Sequence, residues 1–329
     1  MSERPIIVWL RRDLRLTDHA ALDASAASGA PVVPVYVLDD ETPSEWRLGG
    51  ASRWWLAGSL RALDAALRRR GSRLILRRGE TGAVLLEVAR EIGAAAVYFT
   101  RAISHAAEAD TAKQRGAAAY IRELYWREFS SHLLFHRPDL PEKPFRPEFA
   151  ALPWKPDPAA LTAWQTGHTG YPIVDAGLRQ LWAIGWMHNR VRMVAASFLT
   201  KHLLIPWQQG EAWFWDTLID ADLANNAASW QWVAGSGADA APYFRVFNPI
   251  LQGLKFDSAG DYVRRWIPES ADLPAEHIHA PWDAPDDVLR RAGIVLGETY
   301  PRPIIAHDEG RRQALAAYAA VKASSQDGS

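Results

Sequence analysis

Three stretches of the chain carry side chains whose types and spacing suit a planar, hydrogen-bonding ligand. In LIDADLANNAASWQW, Asp222, Asn226 and Trp230 fall at i, i+4 and i+8, placing a carboxylate, an amide and an indole on one helix face. Such a row can run hydrogen bonds along the edge of a heteroaromatic ring, although the same spacing also serves purely structural polarity. In WMHNRVRM, residues 186–193, Asn189, Arg192 and Met193 join Ala196 at i, i+3, i+4 and i+7, so an amide and a guanidinium lie in a stripe expected to face the core. A buried arginine needs a counter-charge, and Asp220 and Asp222 are at hand. The stretch from Arg115 sets Tyr120, Glu123, Trp126 and Arg127 on neighbouring parts of one helix face. Glu123 and Arg127 alone read as a surface ion pair; with Tyr120 and Trp126 they form a polar-aromatic face that suits a flat ligand.

Other chemistries are excluded or unsupported. With no cysteine, the chain has no disulfide, thiol nucleophile, iron–sulfur cluster or Cys-based zinc site. His132 and His136 lie at i,i+4 without a matching acid, and no metal site is expected. GSGADAAP, 235–242, lacks the Lys-Ser/Thr of a phosphate loop, and RRDLR after the first strand is not a GxGxxG turn. Net charge is −1, so any nucleic-acid contact must be a local basic patch; thirty-one Arg against six Lys favour phosphates and planar ligands. Of sixteen Trp, ten fall between 126 and 232, which fits either an aromatic core or stacking and electron transfer. No apolar run has the length of a signal peptide or membrane span, so a soluble, cytoplasmic protein with no membrane partner is expected.

The elements that must position these residues divide in two. Residues 1–113 alternate strand and helix: strands at Ile6–Leu10, Val32–Leu38, Arg73–Leu76 and Ala96–Thr100, a helix capped by Ser52 and running through Arg70, and another from Thr81 to near Gly93. This predicts a Rossmann-like, doubly wound parallel sheet. Residues 114–329 carry helical periodicity at 115–134, 172–186, 188–204, 210–218, 221–233 and 309–322, giving an all-α domain with a frayed tail over the last seven residues.

Seven stretches then resemble the photolyase/cryptochrome family in collinear order: WLRRDLRLTDHAAL, ELYWREF, TGYPIVDAGLRQL, WMHNRVRM, LIDADLANNAASWQW, DAAPYFRVFNP and YPRPIIAHDEGRRQALAAY. They are most similar to bacterial class I cyclobutane pyrimidine dimer photolyases. The resemblance implies an α/β domain followed by a helical domain holding FAD, active in its reduced form. Light would drive an electron into a flipped-out pyrimidine dimer in DNA, with Glu123 hydrogen-bonding the dimer and Trp126 packing on it. Asn189, Arg190, Met193 and Gln252 match substrate-side positions. Asn226 matches the residue facing flavin N5, and Tyr120, Arg127, Arg192, Asp220 and Asp222 match the cofactor side. Trp230, Trp207 and Trp154 match the inner, middle and outer members of an electron path. Trp54, Trp55, Trp182 and Trp213 are read as core packing. The chain departs from the family between DTAKQ, 110–114, and the WREF helix. A long linker is missing there, together with the Thr-Ser-x-Leu-Ser segment that grips the FAD phosphates. TRAISHAAEAD replaces residues usual for a folate antenna, leaving deazaflavin or no antenna. The expectation is a monomeric light-driven repair enzyme; a cryptochrome-like photoreceptor and a flavin-free relic are the alternatives.

Overall fold

The computed structural model describes residues 4–42, 46–100, 115–239 and 244–327, and their side chains except at 115–121 and 324–327. Two compact units result, Met1–Gln114 and Arg115–Ser329.

In the first unit the order is β1 (Ile6–Leu10), α1 (Ala20–Ala27), β2 (Val32–Leu38), α2 (Gly50–Arg68), β3 (Ile75–Arg78), α3 (Thr81–Ile92) and β4 (Ala96–Tyr98). All pairings are parallel, in the order β3-β2-β1-β4. The runs IIVWL and VVPVYVL are apolar throughout because both faces are covered. Alternation sends Val8, Leu10 and Tyr36 towards Leu63 and Leu67 of α2, and Ile7, Val35 and Val37 towards Val84 and Val88 of α3. Three expectations are corrected here. Ser52 is a buried residue inside α2, which starts at Gly50; Arg53 fixes that entry by donating to the Leu48 carbonyl at 2.7 Å and to Asp40 at 2.6 Å. β3 begins two residues later than expected, where Ile75 pairs with Val35. Trp54 and Trp55 are surface residues, 72% and 54% exposed, because Leu63 and Leu67 already supply the inner face of α2.

The second unit is helical, with no regular strand among the described residues. Its elements are α4 (Arg115–His136), α5 (Pro158–Gln165), α6 (Pro172–Ile184), α7 (Asn189–Ser197) running into a π-helical turn (Phe198–His202), α8 (Trp207–Thr217), α9 (Leu223–Ala234), α10 (Pro249–Phe256), α11 (Asp261–Trp266), α12 (Asp286–Arg291) and α13 (His307–Asp327). α13 extends past the expected end at 322 to Asp327. Local chemistry sets the starts: Asp157 caps α5 and Asn248 caps α10, each followed by proline at the first helical position. The central core joins Trp164, Val174, Leu178, Val194, Phe198, Trp207, Phe214 and Trp230.

α6 is anchored by a buried carboxylate. Asp175 accepts from the Thr169 amide (2.7 Å) and hydroxyl (2.6 Å), the Gly170 amide (3.0 Å) and the Tyr300 hydroxyl (2.7 Å). Burial pushes its pKa up, and these hydrogen bonds resist the rise. An Asp175→Asn change must point an NH2 at donors, so it is expected to cost about 1–2 kcal/mol in urea unfolding. An unchanged midpoint would count against this anchor.

Candidate functional site

The candidate site is built on α7, α8 and α9. Asp222 caps α9 by accepting from the Asn225 amide (3.1 Å) and side chain (2.8 Å). One turn on, Asn226 is 9% exposed and its Nδ2 donates to the Glu211 carbonyl of α8 at 3.0 Å. That bond commits the amide nitrogen and leaves Oδ1 as the free end, with no partner among the described residues. Two turns on, Trp230 is buried, with Phe214 of α8 at 5.0 Å and Trp164 of α5 at 6.2 Å between ring centroids. Gly210 makes this possible: a Cβ there would collide with the Trp230 ring, so only glycine lets α8 lie this close to α9.

Glu211 is the residue the sequence reading missed. It is 0% exposed, neither carboxyl oxygen has a hydrogen-bond partner among the described residues, and burial pushes its pKa up to about 9. A buried carboxyl at that value is neutral at pH 7 and holds an O–H donor. The signal was present: Glu211 sits four residues after Trp207 and three before Phe214, a carboxylate inside an apolar stripe.

Arg192 of α7 donates to the Met187 carbonyl (2.7 Å) and, through Nη2, to both oxygens of Asp220 (3.1 and 2.8 Å). The pair is partly exposed, so the expected core-facing stripe is corrected. Val191, Val194, Ala195 and Phe198 form the inner face, Asn189 is exposed, and Arg192 and Met193 are half-buried at the rim. Arg190 stacks its guanidinium over Phe256 of α10 at 4.8 Å, which brings α7 beside the element carrying Gln252. The Gln252 Oε1 is buried without a partner among the described residues.

α4 packs on α9, and the loop after it is tied down by Gln231 of α9. That side chain donates to the Leu140 (2.6 Å) and Lys143 (2.9 Å) carbonyls and accepts from the Phe145 amide (2.6 Å). Glu123 and Arg127 are exposed and form no ion pair among the described residues, so the expected i,i+4 pair is absent there. Trp126 is 45% exposed, set edge-on to Phe129 at 5.8 Å. The Tyr120 side chain lies outside the described residues, as does most of TRAISHAAEAD. Trp207 is buried and Trp154 half-buried, both packed on the central core. Trp182 is not core: it is 71% exposed on the outside of α6, stacked 5.7 Å from Trp213 at an interplanar angle of 3°. No group of three or more His, Asp or Glu able to hold a metal occurs among the described residues. No helix among them is long and apolar enough to cross a membrane.

The residues present fit the ring edge of a flavin. A free amide oxygen on Asn226, the orphaned neutral carboxyl of Glu211, whose backbone carbonyl holds that amide, and the partly exposed Arg192–Asp220 pair offer an acceptor, a donor and fixed charge to a polar ring system.

Comparisons with known proteins bear on the same elements. The profile of the FAD binding domain of DNA photolyase matches residues 120–320, and the DNA photolyase profile matches residues 6–148. The deoxyribodipyrimidine photo-lyase of Agrobacterium fabrum is 37% identical over 477 aligned positions, covering 98% of this chain and 99% of that protein. Those positions outnumber the 329 residues here, so a long stretch of that relative lies opposite gaps. The deoxyribodipyrimidine photo-lyase of Escherichia coli is 50% identical over 218 residues; the match spans 66% of this chain and 45% of that enzyme, less than half its length. Among solved structures, a bacterial class III photolyase from Agrobacterium tumefaciens has a TM-score of 0.88 at 35% identity, covering 98% of each chain. That neighbour is a class III enzyme, whereas the motifs led to an expectation of class I. A Synechocystis cryptochrome, with a TM-score of 0.82 at 22% identity over 95% of this chain and 99% of that one, shows the fold alone.

Proposed function

We propose, given that the chain belongs to the DNA photolyase family, that it is a light-dependent repair enzyme that splits cyclobutane pyrimidine dimers in DNA. The observation that carries the reading is the Asn226 amide, held by the Glu211 carbonyl with its oxygen free. When bound, reduced FAD supplies the photoexcited electron that opens the cyclobutane ring and receives it back. Asn226 orients the ring edge as a neutral group, where a carboxylate would exchange protons with it. Glu211 keeps a proton in a water-poor setting, and the Arg192–Asp220 pair holds the mouth of the site in register.

On the substrate side, a base inside a duplex is unreachable, and a damaged base costs least to unstack. Trp126 offers an exposed indole to replace that stacking, with Glu123 one turn away as an unpaired acceptor. Arg190, Asn189, Met193 and Gln252 flank the lesion as polar and apolar contacts. Tyr120, Arg127 and Asp222 complete the proposed cofactor side. The protein acts as a monomer in this reading, and the antenna position, if used, takes deazaflavin rather than folate.

Trp126→Ala is expected to weaken binding of a dimer-containing oligonucleotide roughly tenfold or more, since stacking contributes about 1–3 kcal/mol per base. Anisotropy against an undamaged oligonucleotide measures the difference, and equal affinities for variant and parent would remove Trp126 from this role. The function itself is tested by the absorption spectrum after reconstitution with FAD, followed by repair of dimer-containing DNA in blue light and in darkness. Bound flavin without light-dependent repair selects the photoreceptor reading; no bound flavin removes both.

A further inference from the structure

The first unit carries a charged corner that none of the residues above uses. Between Arg68 and Arg78 the chain reads RRRGSRLILRR, six arginines in eleven residues of a protein whose net charge is −1. The run leaves the carboxyl end of α2 and enters β3, which lies at the edge of the described sheet, and all six side chains are exposed. Three are held by acids: Arg68 by Asp64 (2.7 Å), Arg77 by Glu91 (3.2 Å) and Arg78 by Asp40 (3.0 Å). Arg69, Arg70 and Arg73 have no acidic partner among the described residues. A helix carboxyl end favours cations in its last turn, which accounts for Arg68. It gives no reason for Arg73, beyond the turn at Gly71, or for continuing the charge into β3.

Beside these guanidiniums lies a groove of about 600 Å³ at the amino ends of β2 and β3. Ligands of open α/β sheets ordinarily sit at the opposite, carboxyl end. Its lining combines apolar Val33, Ile75 and Val88 with Arg68, Arg73 and Arg77 and the Glu91 carboxylate that pairs with Arg77. Unpaired guanidiniums bind phosphates, and a positive surface with a seat for a flat ring is how a strand of unstacked bases is held.

We propose that this corner of the first unit binds single-stranded nucleic acid, with backbone phosphates on Arg69, Arg70 and Arg73 and a base seated in the groove. The choice of nucleic acid over other polyanions rests on the function proposed above; the site itself stands on the charge and the groove.

The test uses the full chain in darkness, without FAD or lesion, and a fluorescein-labelled oligothymidylate followed by anisotropy across a salt series. The triple variant Arg69→Ala, Arg70→Ala, Arg73→Ala is expected to bind about tenfold or more weakly at moderate salt. Its plot of log affinity against log salt should be shallower by about 2, at roughly 0.7 per lost phosphate contact on a single strand. The corresponding triple Lys variant is expected to keep most of the slope. All three positions are exposed, and matching circular dichroism and melting confirm an intact fold. Unchanged affinity and slope in the Ala variant overturn the proposal. So does polyglutamate competing as well as oligothymidylate, which would identify an acidic protein partner. An abasic strand binding as tightly as oligothymidylate overturns the base seat. Light-driven repair failing in the parent protein, with oligonucleotide binding and its Arg dependence intact, removes the proposed function alone.

Discussion

Glu211→Gln is expected to stabilise the flavin-free protein at pH 7.5 by about 3–4 kcal/mol, with an effect that vanishes on acidification. The carboxyl starts from an ordinary value of 4.5 and burial raises it to about 9 in the folded chain. The folded state therefore holds a proton that the unfolded state releases, and the stability difference grows against folding as pH rises from 4.5 towards 9. Each pH unit in that window costs about 1.36 kcal/mol. Below pH 4.5 both states carry the proton and the penalty is absent. Glutamine has the same shape and no charge to suppress, so the variant lacks this slope, while histidines and other titrating groups affect both proteins alike. Urea unfolding of parent and variant at pH 5, 6.5 and 8 measures the widening gap. Parallel curves would show that Glu211 is solvated or paired in solution. The same comparison with FAD bound tests the site, because a partner for the orphan oxygens narrows the gap.

That residue also marks where reading the sequence stopped. The parallel sheet was legible because strands covered on both faces are written as unbroken apolar runs, as in Ile6–Leu10 and Val32–Leu38. α1 was not legible: AALDASAA is small and weakly amphipathic, and its start depends on the His19 ring accepting from the Leu22 amide. The short helices α10, α11 and α12 were lost for a similar reason, since six to eight residues hold too few turns for periodicity to stand out. Asn226 and Trp230 announced themselves by spacing within one helix. The Asn226–Glu211 contact joins two helices, and its acceptor is a backbone carbonyl, which no side-chain pattern encodes. Trp182 illustrates the converse: its aromatic type suggested burial, yet Leu181 beside it turns inward and leaves the indole outside.

Trp230→Phe is expected to slow photoreduction of bound flavin by a hundredfold or more, while repair by chemically reduced protein is largely spared. A phenyl ring is much harder to oxidise than indole, and a barrier higher by only about 3 kcal/mol already gives roughly a hundredfold. The family resemblance assigns Trp207 and Trp154 to follow Trp230 in the proposed path. Trp164 is a ring neighbour of Trp230 at 6.2 Å between centroids, but Trp164 is fully buried and its N–H is committed to the Ala195 carbonyl at 2.9 Å. The proposed path leaves Trp164 as a side station. Trp207 is as buried as Trp230, whereas Trp154 is half-buried and able to pass the charge to water. Trp207→Phe and Trp154→Phe should therefore slow photoreduction severely, and Trp164→Phe by less than about twofold, under 0.5 kcal/mol of barrier. Flash absorption with an external reductant reads all four variants. If Trp164→Phe matches Trp230→Phe while Trp207→Phe stays near the parent, the electron travels through α5 and the path assigned to Trp207 and Trp154 is wrong. If repair by chemically reduced Trp230→Phe is also lost, the indole shapes the cofactor pocket itself, as its contact with Gly210 across α8 and α9 would allow.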